Sequence, residues 1–261
     1  MTKIKIISGW SNPGGSTTSF INLCNYMNAN GMDCTFYGPH DYHRDKCKSG
    51  HIAEAQVNQK DEILIIHYLK FPERPEASKK VILSCHEKDV YEVKKVKPFW
   101  DDVVYVSNSQ MFWQGVPGKV IPNIITELNK TESHPGKKAG VIGSVDKNKN
   151  THVSIQRALD DGFDKVYLYG LVTDQPYYAE HVQSFVDDGK AIINGYEPNT
   201  QKMYDSITDV YHSSLSETFN LIKAECKATG THYHGLDSAE SGADYKEPQE
   251  ILVQWKNLLE I

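Results

Sequence analysis

The sequence predicts an α/β protein built from two similar-sized βα units in series. Three observations carry that expectation. Short apolar runs, bounded by glycine or polar loops, alternate with helical patterns along the 261 residues. Most of those runs are apolar at successive positions rather than every second one, as in parallel strands covered on both faces. The alternation also breaks at Ile121-Pro122-Asn123, gives way to the polar stretch Asn129–Lys138 with its Pro-Gly turn, and then restarts.

Each element has its own signal. Lys3–Ser8 (KIKIIS) reads as a strand, stopped by Gly9 and the loop SNPGGS. Thr17–Ala29 sets Phe20, Leu23, Cys24 and Met27 at helical spacing, and Gly31 stops that helix. Asp33–Tyr37, Glu62–Tyr68, Lys80–Ser84 and Asp102–Val106 are further strands. After the linker, Ala139–Ile142 is a strand, Asn150–Leu159 a helix and Lys165–Tyr169 a strand closed by Gly170. Lys190–Ile193, Met203–Ser206, Asp209–His212 and Phe219–Ala228 continue the alternation. Glu247–Leu259 is an amphipathic helix with Ile251, Trp255, Leu258 and Leu259 on one face. The expected division is a first domain over 1–128, a second over 129–245, and a terminal helix over 246–261 that crosses back to the first.

Composition narrows the class. Hydrophobic residues make up 39% and charged residues 24%, which is globular rather than disordered. Mean hydropathy is -0.52, and no apolar run approaches the ~18 residues of a membrane span. The opening MTKIKIISGW has neither the apolar core nor the small-residue cleavage site of a secretory signal. The five cysteines are scattered without a CxxC pair, so neither a disulfide framework nor a zinc site is expected. A soluble, cytoplasmic protein is the expectation. Net charge is -6, but residues 1–130 hold 16 basic and 14 acidic residues against 12 and 20 in residues 131–261. The total argues against a general nucleic-acid binder. Solvated loop charge accounts for the basic stretches His43–Lys48 and Glu92–Lys97; the sharper reading makes the first half the side that meets an anionic partner.

The densest chemistry lies in Ser214–Gly230 (SLSETFNLIKAECKATG), where seven residues separate Glu217 from Glu225. A helix beginning near Phe219 would aim its unpaired N–H groups and positive dipole end at whatever lies beside Glu217, a place for a phosphate or diphosphate. Carboxylates suit sugar hydroxyls because each accepts several hydrogen bonds. An ordinary helix with a Glu cap and a surface Glu fits the same spacing. No DxD, HExxH or carboxylate triplet marks a metal site, and the Walker loop and GxSxG elbow are absent. The first loop reads GWSNPGGS rather than GxGxxG, which sets a nicotinamide-dependent dehydrogenase aside.

These motifs resemble, in order and spacing, those of the retaining glycosyltransferases of the GT-B fold, specifically the family 4 group. The run from Glu217 through Thr-Phe-Asn-Leu to Ala-Glu225 is similar to its EX7E signature. Asn12-Pro13-Gly14-Gly15 resembles its N-terminal Gly-Gly loop, and Met27–Gly38 its step into the second strand. Val106–Ser109 followed by Val120–Asn123 resembles the run that ends its first domain. Gly143–Lys149 (GSVDKNK) resembles the motif after the first strand of its second domain.

The resemblance implies two Rossmann-like domains facing each other across a cleft. It implies transfer of a sugar from a nucleotide diphospho-sugar, a UDP-sugar first, to an acceptor hydroxyl with retained anomeric configuration and no metal or other cofactor. It further implies that Glu217 contacts the transferred sugar and Glu225 the ribose. The backbone of Phe219, Asn220 and Leu221 would hold the diphosphate and sugar, Lys149 would supply positive charge, and Gly14 and Gly15 would let the first loop approach closely. His86, in VILSCHEKD, is similar to the histidine the family places near the reacting sugar. His67 is a weaker candidate, and a structural histidine fits the position of His86 equally. One departure stands out. The family's Arg after the glycine of the second-domain motif is Ser144 here, and a hydroxyl does not replace a guanidinium. Lys147 is the candidate compensating cation. The implied acceptor is a glycan or lipid-linked sugar, or a hydroxymethylated DNA base as in phage-type glucosyltransferases acting in a bacterial or phage-infected cytoplasm. Ser144 and the short chain support an alternative, a non-catalytic GT-B-like module that binds a nucleotide or scaffolds partners.

Overall fold

The computed structural model describes residues 2–57, 59–69, 73–88, 93, 99–131 and 136–261. The chain forms two compact units, Met1–Thr126 together with Gly242–Ile261, and Glu127–Ser241. Of the basic stretch Glu92–Lys97 only Val93 is described, and within the linker stretch residues 132–135 lie outside the described residues.

The first unit is a seven-stranded sheet of β1 (Lys3–Ser8), β2 (Asp33–Gly38), β3 (Ser49–His51), β4 (Glu62–His67), β5 (Lys80–Cys85), β6 (Asp102–Tyr105) and β7 (Lys119–Val120). Their order is β3-β2-β1-β4-β5-β6-β7, and every pairing is parallel. The central strands are apolar on both sides because both sides are covered. Ile4, Ile6, Ile63 and Ile65 share a core with Phe20, Met27 and Phe36, whereas Ile7, Leu64 and Ile66 share one with Val81, Leu83 and Tyr105. Helix α1 (Gly15–Ala29) and the terminal helix Pro248–Leu259 complete the first of these cores, the latter through Ile251, Leu252, Trp255, Leu258 and Leu259. Pro248 and a Glu247–Glu250 capping box fix where that helix starts. Lys5 departs from the apolar pattern. It is buried, and its Nζ lies 2.7 Å from Glu62 Oε2, so the charge is paired rather than stranded.

The second unit is a five-stranded sheet of β8 (Ala139–Ile142), β9 (Val166–Tyr169), β10 (Ala191–Gly195), β11 (Asp209–His212) and β12 (His232–Gly235), ordered β10-β9-β8-β11-β12 and again parallel. Helices Thr151–Asp160, Thr200–Asp205 and Leu221–Thr229 intervene. Gln175–Tyr177 runs through a π turn, Tyr178–Val182, into Gln183–Asp187. Gly170 has φ +157°, and a Cβ there would sit 1.9 Å from the Gly143 carbonyl oxygen, so only glycine lets these two loops meet. Met203–Ser206 falls in the helix Thr200–Asp205 and its cap. The strand β12 (HYHG) carries no apolar run that would announce it, and β3, β7 and helix Asn108–Gln114 are too short to show a period.

In each unit the strand order reverses once, between β1 and β4 in the first and between β8 and β11 in the second. Chains leaving neighbouring strands in opposite directions open a crevice at the carboxyl ends, the usual ligand position in open α/β sheets. Among the described residues no helix is long and apolar enough to cross a membrane.

Candidate active site

At the β8/β11 switch point of the second unit, loops 143–150 and 213–220 are tied together. The Leu215 N–H donates to the Asn148 carbonyl at 2.8 Å, and the Ser214 hydroxyl reaches the same oxygen at 3.3 Å. Asp146 organises the first loop, accepting the Lys149 N–H at 2.8 Å and the Ser144 hydroxyl. The tie brings Lys149 Nζ to 2.6 Å from Glu217 Oε1. His212, the buried last residue of β11, puts Nε2 3.0 Å from the same oxygen. An ionised carboxylate only accepts, so that nitrogen carries the proton. Burial pushes the Glu217 carboxyl up, but the His212 hydrogen bond and the Lys149 charge outweigh it and hold it at about 2. Glu217 is therefore an anion throughout the physiological range.

The helix Leu221–Thr229 begins two residues later than the spacing suggests. Asn220 takes a left-handed conformation (φ 40°, ψ 70°) and caps it, its side chain accepting the Lys223 N–H at 3.0 Å. The Asn220 amide also donates to the Tyr233 hydroxyl at 2.6 Å and the Ala239 carbonyl at 2.9 Å. Phe219 and Asn220 thus lie before the helix, with Phe219 buried, and Leu221 is its first residue. Asn220→Ala is expected to lower stability by about 1–2 kcal/mol through loss of the cap, read as a shift in urea midpoint at unchanged slope.

Glu225 lies on that helix, buried, with the Tyr204 hydroxyl donating to its Oε2 at 2.9 Å. Burial, opposed only by that hydrogen bond, raises its carboxyl to about 7. Among the described residues no cation offsets it, so in its ionised form this carboxylate is a cost to the fold. Such unrelieved groups concentrate at functional sites.

Of the remaining predicted residues, Ser144 spends its hydroxyl on Asp146, and Lys147 is exposed and makes no ion pair among the described residues. In the first unit Gly14 is the residue before α1, with extended backbone, and a Cβ there would meet only the Asn12 carbonyl at 4.0 Å. The fold does not require glycine at 14. Gly15 opens α1 and is exposed. His86 is buried, 4.3 Å from the Phe20 ring, with Nε2 3.2 Å from Ser84 Oγ, and lines a small internal cavity with Ser19, Asn123 and Trp255. Burial, then the neighbouring His67, holds its imidazole down at about 3, so it is neutral. His67 is fixed between Ser8 Oγ (2.8 Å from Nδ1) and Glu87 Oε2 (2.7 Å from Nε2) at the β1/β4 switch point.

Sequence reasoning missed His212, Tyr204 and Glu87. His212 ends a recognisable strand, and Glu87 directly follows His86, so their places were visible. Tyr204 was not, because its partner is 21 residues away. Among the described residues no group of three His, Cys, Asp or Glu side chains is placed to hold a metal ion.

No family model matches the chain, and neither does any curated protein. Its fold does recur among solved structures. TarM matches with a TM-score of 0.72 at 11% identity, over 100% of this chain and 92% of that one. Alr3699/HepE of Anabaena, in complex with UDP-glucose, matches with a TM-score of 0.67 at 13% identity, over 100% and 90%. AviGT4, a glycosyltransferase involved in avilamycin A biosynthesis, matches with a TM-score of 0.65 at 14% identity, over 90% and 78%. The two parallel sheets with their helices are those of the GT-B glycosyltransferase fold.

Proposed function

We propose that the chain is a retaining glycosyltransferase that moves a sugar from a nucleotide diphospho-sugar, a UDP-sugar first, to an acceptor hydroxyl. The observation that carries this reading is Glu217, held as an anion by His212 and Lys149 at the β8/β11 switch point, three residues before the cap of the helix Leu221–Thr229. The fold it shares with AviGT4 and with HepE, whose structure holds UDP-glucose, supports the same reading.

In this proposal the diphosphate lies against the start of that helix, where unpaired N–H groups and the dipole favour an anion. Lys149, already balanced by Glu217, turns part of its charge to the diphosphate, and Lys147, which makes no ion pair among the described residues, takes the place of the arginine missing at Ser144. Glu217 accepts hydroxyls of the transferred sugar, and Glu225 those of the ribose. The bond between the anomeric carbon and the diphosphate oxygen breaks, and the acceptor oxygen takes its place on the same face, its proton passing to solvent. Negative charge grows on the departing phosphate, where fixed N–H groups and lysines stabilise it without reorganising. No metal takes part. His86, by the resemblance, is the histidine nearest the reacting sugar. Gly14 and Gly15 leave room for a substrate beside the first loop.

Incubation with UDP-, GDP- and ADP-sugars, with nucleotide release measured and the product's anomeric configuration read by NMR, tests the proposal. Release of UDP and a product of the donor's own configuration are expected. Release with inversion overturns the retaining mechanism. Binding without release from any donor favours a non-catalytic module, the reading that the engaged hydroxyl of Ser144 supports.

A further inference from the structure

We propose that the first unit carries an aromatic subsite, formed by Trp10, Tyr68 and His40, that seats a sugar ring of a neutral acceptor. This deepens the transferase reading and rests on it for the word acceptor.

The three rings stand on the loops that leave β1, β4 and β2, around the β1/β4 switch point. The Trp10 ring centroid is 6.2 Å from that of His40, edge-on at 84°, and 6.2 Å from that of Tyr68, tilted at 52°. Trp10 is 45% and Tyr68 41% exposed, and His40 is exposed as well. Single exposed aromatic rings are ordinary on a protein surface, but three gathered at one point form the kind of patch that marks a binding site.

The cluster is held in place by local structure. The Gly9 N–H donates to the His67 carbonyl at 2.9 Å, and a Cβ at Gly9 would lie 2.1 Å from the Tyr68 carbonyl oxygen, so the two loops touch through glycine. The Trp10 N–H donates to Ser8 Oγ at 3.1 Å, and the His40 N–H to Ser11 Oγ at 2.9 Å. Tyr68 itself has φ +52°, a left-handed backbone that costs an aromatic residue energy. Strain kept at a ligand-facing position is a mark of function.

Chemistry selects the occupant. A pyranose has an apolar face of C–H groups that suits the electron-rich face of an aromatic ring, and a rim of hydroxyls that needs acceptors. Glu87 supplies one. Its side chain is 28% exposed, and it is bonded to His67, whose ring centroid is 6.0 Å from that of Tyr68. Burial pushes the Glu87 carboxyl up, but the His67 contact outweighs it, so it stays ionised. An anion here repels the phosphates of DNA. The basic stretch His43–Lys48 does not offset it: Arg44 Nε is 2.8 Å from Asp41, Lys48 pairs with Asp33, and Asp45, within the stretch itself, balances the charge of Lys46. These observations favour a neutral saccharide over a modified base in DNA.

The test uses the full chain with its four tryptophans labelled at the indole nitrogen, the Trp10 signal being assigned by its loss in Trp10→Phe. Maltose, lactose and N,N′-diacetylchitobiose are the saccharide probes, and an oligodeoxynucleotide carrying 5-hydroxymethylcytosine is the competitor class. At least one disaccharide is expected to move the Trp10 signal saturably. Calorimetry is expected to show its affinity reduced about tenfold in Trp10→Ala and in Tyr68→Asn, which keeps a left-handed backbone accessible. UDP binding should match wild type in both variants. The proposal is overturned if no disaccharide moves the Trp10 signal, if only the oligodeoxynucleotide does, or if both variants bind the disaccharide as wild type does. Wild-type protein that binds none of UDP, GDP and ADP overturns the transferase reading instead, and the Trp10 titration still decides whether the saccharide subsite exists.

Discussion

Glu217→Gln is expected to lower the turnover of sugar transfer by about 10²–10³-fold while the protein stays folded. Glutamine keeps the volume of the side chain and an oxygen for Lys149 and His212, but removes the negative charge that the site is built around. Alanine is the poorer test. It would leave the half-buried Lys149 ammonium and the buried His212 N–H without their partner, and removing one member of a buried pair costs about 3–5 kcal/mol, which would mix unfolding with chemistry. Turnover, circular dichroism and UDP affinity measured together separate the two. Near-normal turnover in a folded Glu217→Gln protein would remove Glu217 from the reaction.

Glu225→Gln is expected to act in two opposite directions. The folded protein holds the Glu225 proton up to about pH 7, whereas an unperturbed glutamate releases it near 4.5. Between those values the native state binds more protons than the unfolded chain, so this group's contribution to stability falls as pH rises. The shift corresponds to a loss of about 3 kcal/mol, fully present above pH ~7 and absent below pH ~4.5. Glutamine does not ionise, so the variant should gain about 3 kcal/mol on wild type between pH ~4.5 and pH ~8 in urea unfolding. In the proposed reading the same change removes an acceptor of ribose hydroxyls, and UDP affinity should fall by about ten- to a hundredfold. Higher stability with weaker binding is the signature of a residue kept for function. Parallel stability curves, or unchanged UDP affinity, would make Glu225 an ordinary core residue.

The fold was legible because covered parallel strands and amphipathic helices announce themselves one at a time. KIKIIS, EILIIH and KVILS show it in the first unit, and the face of Ile251 and Trp255 shows it in the terminal helix. The site was legible only in part. Glu217 and Glu225 could be found from their spacing, but their electrostatic states could not. One carboxylate is pulled down by a histidine five residues away and a lysine 68 residues away, the other raised by burial and bonded to a tyrosine 21 residues away. His86 was legible by resemblance, but its burial against the Phe20 ring beside Ser84 was not. The helix after Glu217 starts at Leu221 rather than Phe219 because Asn220 adopts a left-handed cap, a preference that spacing alone does not reveal.

A crystal structure of the full chain soaked with UDP tests the central claim most directly. The account predicts the diphosphate at the first turn of the helix Leu221–Thr229, within hydrogen-bond distance of Lys149, and the ribose hydroxyls on Glu225. UDP bound elsewhere, or bound with both glutamates still engaged only by Lys149, His212 and Tyr204, would contradict it.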